Sequence, residues 1–137
     1  MITHLARVTL VVRDQEEALR FYTETLGFEK RADVQFGPGM RWLTIAPPKQ
    51  RELEIVLQQP SAAMHGEERA AELLAGVGKG PTWVLYTTDC HGDYARLLER
   101  TVQFVSPPTA QPYGIEAVFL DLYGNSYSLL QPAEPMS

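Results

Sequence analysis

Residues 7–31, RVTLVVRDQEEALRFYTETLGFEKR, carry the reading that decides the fold. An apolar stretch predicted from Leu5 to Val12 has the composition of a strand. Asp14 follows as a candidate N-cap, with Glu17 three residues on in a capping-box-like spacing. Ala18, Leu19, Phe21, Tyr22 and Leu26 then recur at intervals of three and four, which defines one buried face of a helix. Gly27 stands where a left-handed C-terminal residue is wanted, and Phe28 re-enters extended chain. Residues 82–105, TWVLYTTDCHGDYARLLERTVQFV, repeat the plan. There a strand over Trp83–Thr87 leads to Asp89 as cap and to a helix expected to bury Tyr94, Leu97 and Leu98. Two copies of one strand–helix–strands unit imply a duplicated scaffold whose sheets share a cleft.

The intervening sequence completes each copy. Arg41–Ile45 and Glu52–Leu57 read as strands, punctuated by the Gly37–Gly39 turn and by Pro47–Pro48. In the second copy, strands are expected near Val102–Val105, Gly114–Leu120 and Ser126–Leu130. Pro107, Pro108 and Pro112 mark the connection before the last two, and Tyr123–Asn125 turns between them. The expected organisation is α+β: one domain over 1–137, with βαβββ modules over 1–60 and 81–137 and a connector over 61–80. Met64–Leu74 within the connector reads as a short helix. The glycines of GVGKGP (76–81) lack the spacing of a phosphate loop, and no strand leads into them.

Composition narrows the class. The 137 residues are 45% apolar and 21% charged, in the range of a globular chain. No apolar run approaches the roughly 20 residues that span a bilayer. MITHLARVTLVV lacks the basic region, longer apolar core and cleavage site of a secretion signal, and Cys90 is a lone cysteine, so a cytoplasmic location is expected. A net charge of −5 without a Lys/Arg cluster argues against nucleic acid as partner.

LVVRDQEEALRFYTETLGFEKR, RWLTIAPP, ELEIVLQQP and QPYGIEAVFLDLYGNSYSLLQP, in that order, closely resemble the glyoxalase/bleomycin-resistance/dioxygenase proteins, also called the vicinal oxygen chelate superfamily. The resemblance covers both copies. It implies paired βαβββ modules curled around a cleft, a homodimer, and, in the enzymes, a divalent metal held by His and Glu from the first and last strands of each module. Such a metal polarises adjacent substrate oxygens.

Carried onto this chain, those ligand positions change chemistry. The first-strand histidine falls on Arg7, and the fourth-strand position on or next to Glu54. The second-module histidine falls on Trp83, or on Thr82 when counted by the internal repeat. The last-strand glutamate falls on Ser128. A guanidinium has no lone pair to give, an indole only donates, and a serine is a weak ligand. No resident metal or other cofactor is therefore expected; a divalent metal with shifted ligands is the alternative. His4 is out of phase with Arg7 along the strand. Cys90, His91 and Asp93 lie consecutively on one helical turn, which does not bring a nucleophile, base and orienting acid together. His65 is expected to be exposed.

Arg7 and Glu54 are expected on neighbouring strands. There the guanidinium either replaces the cation and receives an anionic ligand group, or forms a structural ion pair alone. Trp42, Trp83, Tyr113 and Tyr127 supply aromatic walls or ordinary core, and Glu116 is a further carboxylate whose face is undetermined. The expected function is binding of a small organic molecule, anionic or aromatic, at Arg7, Glu54, Trp83, Glu116, Ser128, Trp42 and Tyr113. A metal-dependent lyase, isomerase or dioxygenase with shifted ligands is the competing reading, and a structural or regulatory dimer the third.

Overall fold

The computed structural model describes residues 1–134 and divides into two compact units, Met1–Val77 and the chain from Gly78 onward. The first unit runs β1 (Arg7–Val11), α1 (Gln15–Arg20), β2 (Glu29–Gly37), β3 (Met40–Ala46), β4 (Glu54–Gln58), α2 (Ala62–His65) and α3 (Glu67–Ala75). Its sheet has the order β1-β4-β3-β2, with β1 parallel to β4 and the other pairs antiparallel. The second unit runs β5 (Trp83–Tyr86), α4 (Cys90–Glu99), β6 (Gln103–Gln111), β7 (Gly114–Leu120) and β8 (Ser126–Pro132), in the matching order β5-β8-β7-β6. The α+β class and the doubled βαβββ plan are as the sequence predicts.

Both helices start as the caps require. The Asp14 carboxylate accepts from the Glu17 N–H at 3.0 Å, and the Asp89 carboxylate accepts from the Gly92 N–H at 2.9 Å. Their exits differ by one residue. In the second unit Val102 N–H bonds to Leu97 C=O and Thr101 N–H to Leu98 C=O, a Schellman closure with Thr101 in the left-handed region at φ 63. In the first unit the corresponding bonds run from Phe28 to Tyr22 and from Gly27 to Thr23, each one residue wider, with Gly27 at φ 82. Phe21–Thr25, wound as a π-helical turn, absorbs the additional residue.

Each helix covers one face of its sheet. In the first unit Leu10, Val12, Leu43, Ile45 and Leu57 are buried with Ala18 and Tyr22, and Arg41, in phase with Leu43, reaches Glu16 of α1. In the second, Tyr94 of α4 meets Phe104 edge-on at 4.6 Å, Phe104 meets Phe119, and Phe119 stacks on Tyr127 at 5.4 Å. Cys90 and Leu97 are buried beneath α4, but Leu98 is exposed, against expectation. Cys90, Tyr94 and Leu97 form a stripe at spacings of four and three, and Leu98 stands about 100° around the helix from Leu97.

Other boundaries move for identifiable reasons. The ladder begins at Arg7, opposite Glu54, and leaves Leu5 exposed. Pro107 and Pro108, expected in a connection, lie inside β6. This strand is at the sheet edge and its register shifts there, so the missing N–H groups interrupt little. The single helix expected over Met64–Leu74 is two, broken at Gly66 with φ 81. His65, at the end of α2, is half-buried rather than exposed. The boundary between the units falls inside the 61–80 segment. Gly78 there has φ 80, and a Cβ would run into the Tyr123 carbonyl oxygen, which gives this glycine a packing role.

Candidate ligand-binding site

Strand alternation leaves one face of each sheet free of its helix. In the first unit Arg7 stands opposite Glu54, Thr9 opposite Val56, and Thr44 opposite Val56. Trp42, two residues before Thr44, shares this face and pairs with Val34. Arg7 Nε lies 3.4 Å from Glu54 Oε1, and the guanidinium sits 5.8 Å from the centre of the Trp42 ring. Three residues singled out in the sequence thus form one cluster. The ion pair is made through Nε, and no described residue accepts a hydrogen bond from the two terminal nitrogens. The Arg7 side chain remains 48% exposed. A guanidinium held edge-on by a carboxylate and flanked by an indole keeps its fork available for a second oxyanion. Of this cluster Trp42 also lines a pocket, with Gln15, Gln58, Gln59 and Met64, in which the Gln15 amide donates to the carbonyls of Arg41 and Leu57.

In the second unit the helix-free face carries Val84 and Tyr86 of β5, Ser128 and Leu130 of β8, and Glu116 and Val118 of β7. Glu116 Oε1 accepts from the Tyr113 hydroxyl at 2.7 Å, and Oε2 accepts from the Ser128 hydroxyl. The Ser128 bond, then the Tyr113 bond, holds the Glu116 carboxyl below its ordinary range, while the same contact pushes the Tyr113 phenol up. Tyr113, Glu116 and Ser128, singled out separately in the sequence, are therefore joined by hydrogen bonds.

Trp83 is not part of it. It pairs with Tyr127, which is buried on the α4 side, and the two rings meet edge-on at 6.2 Å. Strand parity thus points Trp83 and Tyr127 into the core side, away from Glu116 and Ser128. Thr82, the position given by the internal repeat, bonds instead to Ser126, which is in phase with Ser128. The repeat was the signal that separates these neighbours. Tyr86 and Gln58 were not singled out from the sequence, although their phase with Glu116 and Glu54 follows from the register.

The donor chemistry at these positions does not fit a divalent cation. Arg7 brings positive charge, Glu54 is engaged by it, Ser128 donates to Glu116, and Trp83 lies on the other face. Among the described residues no three His, Cys, Asp or Glu side chains converge to hold an ion. Cys90, His91 and Asp93 do not converge either: Cys90 is buried with its thiol pushed up, chiefly by burial, and Asp93 pairs with Arg96. Among the described residues His4 bonds to neighbouring Thr3. No helix among the described residues is long and apolar enough to cross a membrane.

A doubled βαβββ α+β scaffold, two four-stranded mixed sheets of matching strand order, defines the class. The chain belongs to the Glyoxalase/Bleomycin resistance protein/Dioxygenase superfamily, whose family model matches residues 3–128. It is similar to the crystal structure of UcmS2, with 40% identity, a TM-score of 0.84, and 95% of this chain and 98% of that one covered. It is also similar to TnmS3, an antibiotic binding protein from Streptomyces sp. CB03234, at 35% identity and TM-score 0.73 over 96% and 98% of the two chains. A superfamily member from Sphaerobacter thermophilus DSM 20745 matches at 34% identity and TM-score 0.76 over 95% and 98%.

Proposed function

We propose that this protein binds a small planar organic molecule bearing an anionic oxygen group, and does so without a metal. The observation that carries the reading is Arg7. It falls where the enzymes of the superfamily place a metal-binding histidine, is steered by Glu54, faces the Trp42 ring, and among the described residues has no hydrogen-bond acceptor at its two terminal nitrogens. In this role the guanidinium supplies the positive charge and Trp42 a stacking wall. Glu54 orients the fork, and the pocket that Trp42 lines with Gln58 and Met64 receives the body of the ligand. The similarity to an antibiotic binding protein supports a small organic molecule as the ligand.

The test joins two measurements. Metal content of protein purified without chelator is expected to be far below one ion per chain. Thermal stability is expected to rise with aromatic carboxylates such as 2-naphthoate, since a ligand of the folded state alone shifts unfolding. Stoichiometric metal that must be present before any aromatic acid stabilises the protein would replace this reading with a metal-dependent enzyme.

A further inference from the structure

We propose that Gln15 is a positioning residue whose side-chain amide holds β3 and β4 apart and so opens the pocket between Trp42 and Gln58. The β3–β4 ladder pairs Ile45 with Ile55 and Thr44 with Val56, and then stops. Continued in the same register, it would set Leu43 opposite Leu57 and Trp42 opposite Gln58. Val12 N–H donates to the Gln58 carbonyl at 2.9 Å, which turns that carbonyl towards β1 and, by alternation, the Leu57 carbonyl towards β3. The next ladder bonds would therefore run from Leu43 N–H to Leu57 C=O and from Gln59 N–H to Arg41 C=O. Those are the two carbonyls to which Gln15 Nε2 donates, at 2.8 Å and 3.0 Å. A carboxamide has two N–H donors, so one side chain takes the place of both main-chain bonds. Its own backbone N–H is anchored on Gln59 Oε1 at 2.9 Å.

The second unit has the same frame without the wedge. Cys90 follows the capping Asp89 as Gln15 follows Asp14, and its N–H donates to Gln131 Oε1 at 3.0 Å as that of Gln15 does to Gln59. The shorter Cys90 side chain reaches the Leu129 carbonyl, the counterpart of Leu57, at 3.6 Å and leaves the strands joined. There the β7–β8 ladder runs on from Leu120–Ser126 to Gly114–Pro132. It passes through Ala117–Leu129 and Glu116–Leu130, the counterparts of Leu43–Leu57 and Trp42–Gln58. Residues directly opposed in such a ladder have Cα atoms about 4.5–5.5 Å apart, which leaves no room for a ring between them. In the first unit Trp42 and Gln58 instead both line the pocket, with Val56 and Met64. That this pocket takes the body of the ligand rests on the function proposed above, whereas the opened ladder stands without it.

The test compares the full chain with Gln15→Cys, which carries the residue found in the second unit, and with Gln15→Ala. Amide hydrogen exchange followed by NMR is expected to slow by about tenfold or more at Leu43 and Gln59 in both variants, as the ladder closes. Loss of a merely structural hydrogen bond would do the opposite and speed exchange along β3 and β4. Affinity for 2-naphthoate is expected to fall by about tenfold although Arg7 is untouched. In the unaltered protein the Leu43 amide is expected to exchange faster than that of Ala117, its paired counterpart, a comparison that needs no variant to fold. Unchanged or faster exchange at Leu43 and Gln59 in the folded variants, or equal protection of Leu43 and Ala117 in the unaltered chain, would overturn the proposal. Slowed exchange with full retention of 2-naphthoate affinity would do the same. If the unaltered protein binds no 2-naphthoate, the function proposed above fails, and the exchange measurements still decide the role of Gln15.

Discussion

The two units share their helix-covered faces and differ on their helix-free ones. Beneath α1 lie Tyr22, Leu43, Ile45 and Leu57; beneath α4 lie Phe119, Tyr127, Leu129 and Cys90, all buried. On the other faces, one sheet carries a guanidinium–carboxylate pair beside an indole, and the other a carboxylate held by two hydroxyls. Close packing penalises any change of volume on the first kind of face. A sheet surface free of its helix tolerates new charge and new polarity provided each buried polar group has a partner. The same backbone can therefore present a cation in one copy and an anion in the other.

The largest expected effects test the shared half of that comparison. Tyr22→Ala and Tyr127→Ala each empty a site with almost no exposure and should cost about 3–5 kcal/mol in urea unfolding. A loss confined to one of them would show that the helix-covered faces are not equivalent. Arg7→Ala, in contrast, should change stability by less than about 1 kcal/mol, because its ion pair is half in solvent.

A smaller effect concerns the helix exits. Thr101, β-branched and left-handed, does what Gly27 does in the first unit. Thr101→Gly should relieve strain and raise stability by about 1 kcal/mol, and Gly27→Ala should lower it by a similar amount. If Thr101→Gly is destabilising, the two closures are not counterparts.

The smallest effect separates the units by pH. The Arg41 hydrogen bond, with Lys30 adding to it, lowers the Asp33 carboxyl from 3.8 to about 2 in the first unit. Protons bind the unfolded chain first, so this contribution is complete above about pH 4 and fades as pH falls towards 2. Asp33→Asn should lower stability at neutral pH and flatten the dependence in that window. An unchanged acid limb would remove Arg41–Asp33 from the account.

Much of this arrangement was legible in the sequence. Asp14 and Asp89 announce two helices because a capping carboxylate is a local signal, and strand alternation brackets the sheets. The residues of both clusters can each be singled out from the sequence, and so can the pairing of Arg7 with Glu54, but not the addition of Trp42 to that pair or the joining of Tyr113, Glu116 and Ser128. Grouping depends on register, and a slip of one residue reverses the face, which is why the motif position gives Trp83 and the internal repeat gives Thr82, the one in phase with Ser128. The joining of Tyr113, Glu116 and Ser128 needs the β7–β8 turn, where the Asp121 carboxylate accepts from the N–H groups of Tyr123 and Asn125 and so sets the pairing. Pro107 and Pro108 read as connection because nothing local reports that β6 is an edge strand. The additional residue absorbed by the turn at Phe21–Thr25 is likewise visible only when the two helix exits are compared.

The most direct test of the central claim is a calorimetric titration of 2-naphthoate into chelator-treated protein, with Arg7→Ala run beside it. The account predicts binding by the metal-free protein, unchanged on adding a divalent cation, and weakened by about tenfold or more in Arg7→Ala. Binding that appears only after metal is restored, or that is the same in Arg7→Ala as in the unaltered chain, would contradict it.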